Sequence, residues 1–134
     1  MIRYGIVGFG LHAVRRLMPG FVLAQNSGVT ALSRRDMNNA RASAIEHKIP
    51  HAFDSVADLC RSPEVDAVFV ATPNSSHLKD VLLAIESGKP VLCEKPMGMD
   101  GAECRQMVEA ARRANVLLGV AQVFRFEQST ARLP

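Results

Sequence analysis

The chain has no tryptophan, a single tyrosine and only three cysteines in its 134 residues. Cys60, Cys93 and Cys104 are odd in number and form no C-x-x-C pair, which argues against a disulfide framework and against a structural zinc site. Reduced, mostly buried thiols and no metal are expected. Few aromatic rings are present to stack bases, and the pairs Arg15-Arg16, Arg34-Arg35 and Arg112-Arg113 are dispersed. The net charge of +3 is therefore not a nucleic-acid footprint, and no nucleic-acid partner is expected. No apolar run reaches the roughly 18–20 residues of a membrane span, so no membrane partner is expected either. Internal repeats, low-complexity tracts and flexible linkers are lacking. No basic leader, apolar segment and cleavage site precede the first apolar run, which leads to the expectation of a cytoplasmic protein.

What is present is an ordinary α/β composition, 48% hydrophobic and 22% charged, on a chain long enough for one domain with its own core. Short apolar runs alternate with helical periodicity. Strands are predicted at residues 2–7, 29–33, 51–53, 65–71, 90–93 and 116–120. The run at 65–71 is nearly all apolar, as a strand buried on both faces requires. Between the strands, Val14, Leu17, Met18 and Phe21 have helical spacing, with Pro19 predicting a kink or a second helical piece. Asp36 is placed to cap a helix running to about residue 47, and a short helix is expected at 54–60. Leu78, Val81, Leu82 and Ile85 form an i, i+3, i+4, i+7 stripe closed by Gly88. Asp100 and Glu103 suggest a capping-box variant, followed by a buried face of Cys104, Met107, Val108 and Ala111. Six strands in two βαβαβ halves predict a Rossmann-type, doubly wound parallel sheet of order 3-2-1-4-5-6, with helices on both faces.

The first strand ends in Gly8-Phe9-Gly10-Leu11-His12-Ala13. Glycine at 8 permits a tight turn, glycine at 10 lets backbone approach a pyrophosphate on the helix N-terminus, and small Ala13 suits helix–strand packing. A lone G-x-G-x-x-A is weak. Here it leaves a strand, opens a helix and precedes the end of strand two by about 25 residues, the context that dinucleotide binding requires. His12, in the first helical turn, is a phosphate neighbour or a packing residue rather than a catalytic group. Where an NAD site places a carboxylate on the ribose, this chain has Ser33-Arg34-Arg35. A hydroxyl and guanidinium groups suit a 2′-phosphate, and Arg34 can also stack on adenine, so NADP is the expected cofactor. In the alternative, both arginines are solvated, Asp36 takes the ribose and NAD is used.

With these segments in view, the chain resembles the glucose–fructose oxidoreductase / inositol dehydrogenase (Gfo/Idh/MocA) family. The resemblance rests on Gly8–Ala13, Ser33-Arg34-Arg35-Asp36, Val65-Asp66-Ala67-Val68, Ala71-Thr72-Pro73-Asn74-Ser75-Ser76-His77 and Gly88-Lys89-Pro90-Val91-Leu92-Cys93-Glu94-Lys95-Pro96, in order over about residues 1–126. It implies that Thr72, Pro73, Asn74 and His77 lie along the ribose and nicotinamide side of the cofactor. It implies that Lys95 contacts the substrate oxygen beside the nicotinamide, polarising it and assisting proton transfer, and that the following Pro96 is often cis. Glu94 would orient Lys95 or touch the nicotinamide ribose. Gln122 and Arg125 are weaker candidates for closing the cofactor site.

The resemblance further implies a second domain that binds a sugar-like or diol substrate. Residues 1–122 are read as the dinucleotide-binding domain and 123–134 as the start of the connection to that absent domain. The chain alone is then expected to be inactive. Phe124, Phe126 and Leu133 are expected to be exposed where the second domain would pack, favouring homo-oligomerisation. The function implied is the cofactor half of an oxidoreductase moving hydride between nicotinamide and a carbinol or carbonyl carbon. A nucleotide-sensing regulator without chemistry is the competing class.

Overall fold

The structure, a computed structural model, describes residues 1–128. The described residues form six strands: β1 (Ile2–Val7), β2 (Ser27–Ser33), β3 (His51–Phe53), β4 (Ala67–Val70), β5 (Val91–Glu94) and β6 (Leu118–Ala121). All pairings are parallel, in the order β3-β2-β1-β4-β5-β6. This is the doubly wound order that the alternating pattern predicts.

Period-two alternation divides the sheet's side chains between two cores. Val7, Val68, Val70 and Cys93 face one layer, where they pack with Leu59, Val81, Ile85 and Met107. Ile6, Leu32 and Phe69 face the other, with Phe9, Ala13, Ala40 and Ala44. Every residue of β4 is buried, as expected for the strand joining the two halves. Its paired segment is shorter than the apolar run suggests. Val65 and Asp66 approach β1 as a loop, and the Arg3 guanidinium grips the Asp66 carboxylate at 2.9 and 3.0 Å instead of extending the strand.

The helices are α1 (Met18–Leu23), α2 (Met37–His47), α3 (Val56–Arg61), α4 (His77–Glu86) and α5 (Gly101–Ala114). A continuous helical segment over residues 11–23 follows β1; it contains a π-helical turn, Ala13–Leu17, and enters α1 with Pro19 in the first turn. The widened π-helical turn lies just before the proline, whose ring and missing N–H do not fit a regular α-helical interior. Asp36 caps α2 by accepting from Asn39 N at 2.9 Å. Ser55 caps α3, so that helix begins two residues later than expected. In α5, Asp100 accepts from Glu103 N at 2.9 Å, while Glu103 accepts from Met99 N at 2.8 Å. The reciprocal bond of the box thus reaches one residue further back than usual.

Two expectations shift. A 3₁₀ turn at Asn74–Ser76 leads into α4, which has no side-chain cap. The buried face of α4 is His77, Asp80, Val81, Ala84 and Ile85, rotated from the aliphatic stripe so that it includes two polar residues; Leu78 and Leu82 are only partly covered. At the far end of the chain, Asn115 adopts a left-handed conformation and Val116 N returns to Ala111 O. Val116 therefore closes α5, and β6 starts at Leu118.

Candidate functional site

The carboxyl ends of β1, β2 and β4 surround one crevice, at the point where the strand order reverses and doubly wound sheets take ligands. Gly8 ends the β1 turn at φ 79°, a conformation that favours glycine. A Cβ on Gly8 would stand 2.7 Å from Thr72 Cγ2, so the β1 and β4 loops can meet only with glycine there. A Cβ on Gly10, by contrast, would meet nothing within 4 Å, leaving open space over the start of the helix. The first amides of a helix lack intrahelical acceptors and favour an anion above them.

A cleft of about 320 Å³ runs from Gly8 and Gly10, past Thr72 and Pro73, to Arg34, Arg35 and Asn39. A second, of about 280 Å³, lies across Pro73 and adds Asp54, Lys79 and Asp80. Both include Arg34 and Arg35. The two residues that follow β2 therefore bring two positive charges to the walls of both clefts. The carboxylate beside them, Asp36, also lines the first cleft, with Oδ1 accepting from the α2 amide of Asn39.

The residues singled out from the sequence divide into surface and support. Arg35 and Pro73 are exposed in the cleft lining, and Asn74 and Leu11 are exposed but line neither cleft. Arg34 is exposed and anchored, its Nη1 donating to Ser43 Oγ at 3.0 Å. Phe9 is buried, 5.3 Å from the His47 ring, and its N–H donates to Ser33 O at 2.9 Å. Ser33, expected to meet a phosphate, is 3% exposed, lines the second cleft and has its Oγ 3.4 Å from Gly8 N, at the turn that ends β1. Ala13 is fully buried, as close helix–strand packing requires.

His77 is likewise a support. It is 1% exposed, its Nε2 lies 2.9 Å from Thr72 O and its Nδ1 lies 2.8 Å from Pro96 O. The ring ties the β4 loop to the β5 loop rather than facing the cleft. Beside it, Thr72 Oγ1 donates to Asp80 at 2.7 Å. Burial pushes the Asp80 carboxyl above the usual carboxylate range.

Lys95 is exposed at the end of β5, before a cis peptide to Pro96. Glu94 pairs in register with Ala121, so Gln122 follows alongside Lys95 at the same edge. Arg125 lies beyond, in the exposed turn Val123–Phe126, and neither Gln122 nor Arg125 lines the two clefts. Phe124 and Phe126 are 65% and 85% exposed; Leu133 lies outside the described residues. Glu94, by contrast, reaches back to the phosphate loop, where its Oε1 lies 2.8 Å from His12 Nε2. Among the described residues, no group of three His, Cys, Asp or Glu side chains could hold a metal ion, and no helix is long and apolar enough to cross a membrane.

Sequence reasoning did not single out Asn39, Lys79 or Asp80. Asn39 was findable, since it stands three residues after the capping Asp36 and must lie beside it. Asp80 could have been found from its i+3 spacing to His77 and i+4 spacing to Ala84 on a predicted helix.

Residues 2–122 match the family described as "Oxidoreductase family, NAD-binding Rossmann fold" (GFO_IDH_MocA). The trans-1,2-dihydrobenzene-1,2-diol dehydrogenase of Sus scrofa is 38% identical over 130 residues, covering 93% of this chain and 38% of that one. The 1,5-anhydro-D-fructose reductase of Ensifer adhaerens is 40% identical over 119 residues, covering 89% and 35%. A crystal structure of a 3-ketoreductase from Actinomadura kijaniata, in complex with TDP-benzene and NADP, aligns with a TM-score of 0.91 at 27% identity, over 98% of this chain and 41% of that one. The chain thus spans well under half the length of these relatives.

Proposed function

The chain belongs to the Gfo/Idh/MocA oxidoreductase family, through its NAD-binding Rossmann domain, and from that membership we propose that it binds NADP for hydride transfer to or from a sugar, polyol or diol. The observation that carries the cofactor choice is the pair Arg34 and Arg35 lining the cleft that begins at Gly8, with the neighbouring Asp36 carboxylate held on Asn39 N. Two guanidinium groups donate to a 2′-phosphate in forked geometry and outnumber the one carboxylate, Asp36, that lines the same cleft. The dehydrogenase and reductase relatives, and the NADP held by the 3-ketoreductase, support the same reading.

The fit to a dinucleotide rests on the open space over Gly10 and on the close approach of Gly8 to Thr72. The helix start beyond Gly10 offers its free amides to a pyrophosphate. Arg34 and Arg35 hold the 2′-phosphate, and Thr72 and Pro73 line both clefts beside it. When bound, the nicotinamide accepts or supplies the hydride. Lys95 Nζ delivers a proton to the substrate oxygen as a carbonyl is reduced, and in the reverse direction the unprotonated amine takes the hydroxyl proton as the hydride leaves for nicotinamide. Glu94 orients the Lys95 backbone through Oε2, which accepts from Lys95 N at 3.2 Å. Because Lys95 is exposed on an unwalled rim, water is not excluded from it, and turnover by the 134-residue chain alone is expected to be negligible.

Parallel titrations of the chain with NADPH and NADH, followed by nicotinamide fluorescence, test this reading. NADPH is expected to bind at least about tenfold more tightly, the equivalent of one charge-assisted hydrogen bond. Arg34→Asp or Arg35→Asp is expected to abolish the difference. Equal affinity for the two in the unaltered chain would overturn the cofactor choice.

A further inference from the structure

The contact between His12 and Glu94 joins residues 82 positions apart. His12 lies on the helix that follows β1, and Glu94 ends β5; β4 lies between those strands. The bridge therefore passes over the carboxyl end of β4, across the crevice of the proposed dinucleotide site. Both oxygens of the Glu94 carboxylate are engaged: Oε1 at 2.8 Å from His12 Nε2, and Oε2 accepting from Lys95 N at 3.2 Å. The carboxylate side chain is 13% exposed, while the His12 side chain is 50% exposed. A carboxylate can only accept, so Nε2 of His12 is the donor. The carboxylate is thus held from the phosphate loop and in turn holds the backbone that presents Lys95.

We propose that His12 is a positioning residue: its Nε2–H fixes the Glu94 carboxylate across the crevice, so that Glu94 and Lys95 meet the nicotinamide riboside half of the cofactor preorganised. The proposal rests on the dinucleotide reading and adds a division of labour within it. The Arg34–Arg35 end binds the adenosine half without reference to His12. The His12–Glu94 bridge acts only on the other half. A ligand that ends at the 5′-phosphate is indifferent to the bridge, and a complete dinucleotide is sensitive to it.

The test uses the 134-residue chain with two probes, NADPH and adenosine 2′,5′-bisphosphate, the second lacking the nicotinamide riboside. His12→Ala is expected to weaken NADPH binding by about tenfold and leave adenosine 2′,5′-bisphosphate unchanged within about twofold. In His12→Gln the side-chain amide can donate from nearly the same place, so NADPH affinity is expected to return to within about threefold of the unaltered chain. The proposal is overturned if His12→Ala binds NADPH normally, or if it loses both probes equally, which would mark a general loosening of the loop. Failure of the unaltered chain to bind either probe would instead overturn the dinucleotide reading, and this proposal with it.

Discussion

Gly8 and Thr72 meet in the space a side chain would fill: a Cβ at residue 8 would stand 2.7 Å from Thr72 Cγ2 and 2.9 Å from its backbone nitrogen. The backbone half of that contact cannot swing aside as a flexible side chain could. Gly8→Ala therefore has two costs, a left-handed φ of 79° worth about 1–2 kcal/mol, and the displacement of the β4 loop. Urea unfolding is expected to show a lowered midpoint, and dinucleotide titration a weakened or absent response. Gly10→Ala, with nothing within 4 Å of its Cβ, is expected to leave the unfolding midpoint nearly unchanged while impairing binding. Equal loss of stability in both variants would contradict this division.

The His77 ring bridges Thr72 O and Pro96 O from within the core. His77→Ala removes the ring that links the two carbonyls, with the hydrogen bond it donates, and leaves a cavity beneath them. A loss of about 2–4 kcal/mol in chemical denaturation is expected, from the cavity and the unmade bond together. Hydrogen exchange should localise the loosening to the β4 and β5 loops, with β2 and β3 protected as before. A loss spread evenly over the sheet would argue against the bridging role.

The alternation of apolar runs and helical stripes made the sheet and its order readable, because each element's period and length are local properties. The Asp36 cap and the Asp100–Glu103 box were readable for the same reason. Features that depend on which strand ends become neighbours were not. His12 and Glu94 are brought together by β1 and β5 flanking β4, which no spacing in the chain records. The contact of Ser33 Oγ with Gly8 N likewise depends on β1 and β2 lying side by side. The α4 stripe was centred on leucines because hydrophobicity alone locates it, whereas burial of His77 and Asp80 depends on the loop carbonyl and hydroxyl that satisfy them.

Asp80 is 4% exposed and holds Thr72 Oγ1. Its pKa is raised by burial, opposed first by the Thr72 hydrogen bond and then by Lys79 and His77. The folded state therefore binds a proton more readily than the unfolded chain. From the ordinary Asp value of about 3.9 up to the raised folded value, this group lowers stability as pH rises, and above the folded value the penalty is complete. Asp80→Asn keeps an acceptor for Thr72 and never ionises. It is expected to raise the thermal midpoint at pH 7, with the advantage shrinking as pH falls toward 4. A variant that is less stable than the parent at pH 7 would show that Asp80 is needed as a carboxylate.

Cys60 and Cys93 are fully buried, and burial pushes both thiols up to about 12. Thiolate is the reactive form, so at pH 8 these two are both shielded and protonated. Cys104 lies partly exposed on the first turn of α5 and is a free thiol like the others. A chromogenic disulfide reagent at pH 8 is expected to label Cys104 alone in the native chain, and all three cysteines after unfolding in urea. Cys104→Ser should then leave a native chain that does not react on the same timescale, and the slow labelling that remains would report the opening of the core around β5. Rapid labelling of Cys93 in that variant would mean that the β4–β5 layer opens far more readily than its packing against Met107 and Val81 implies.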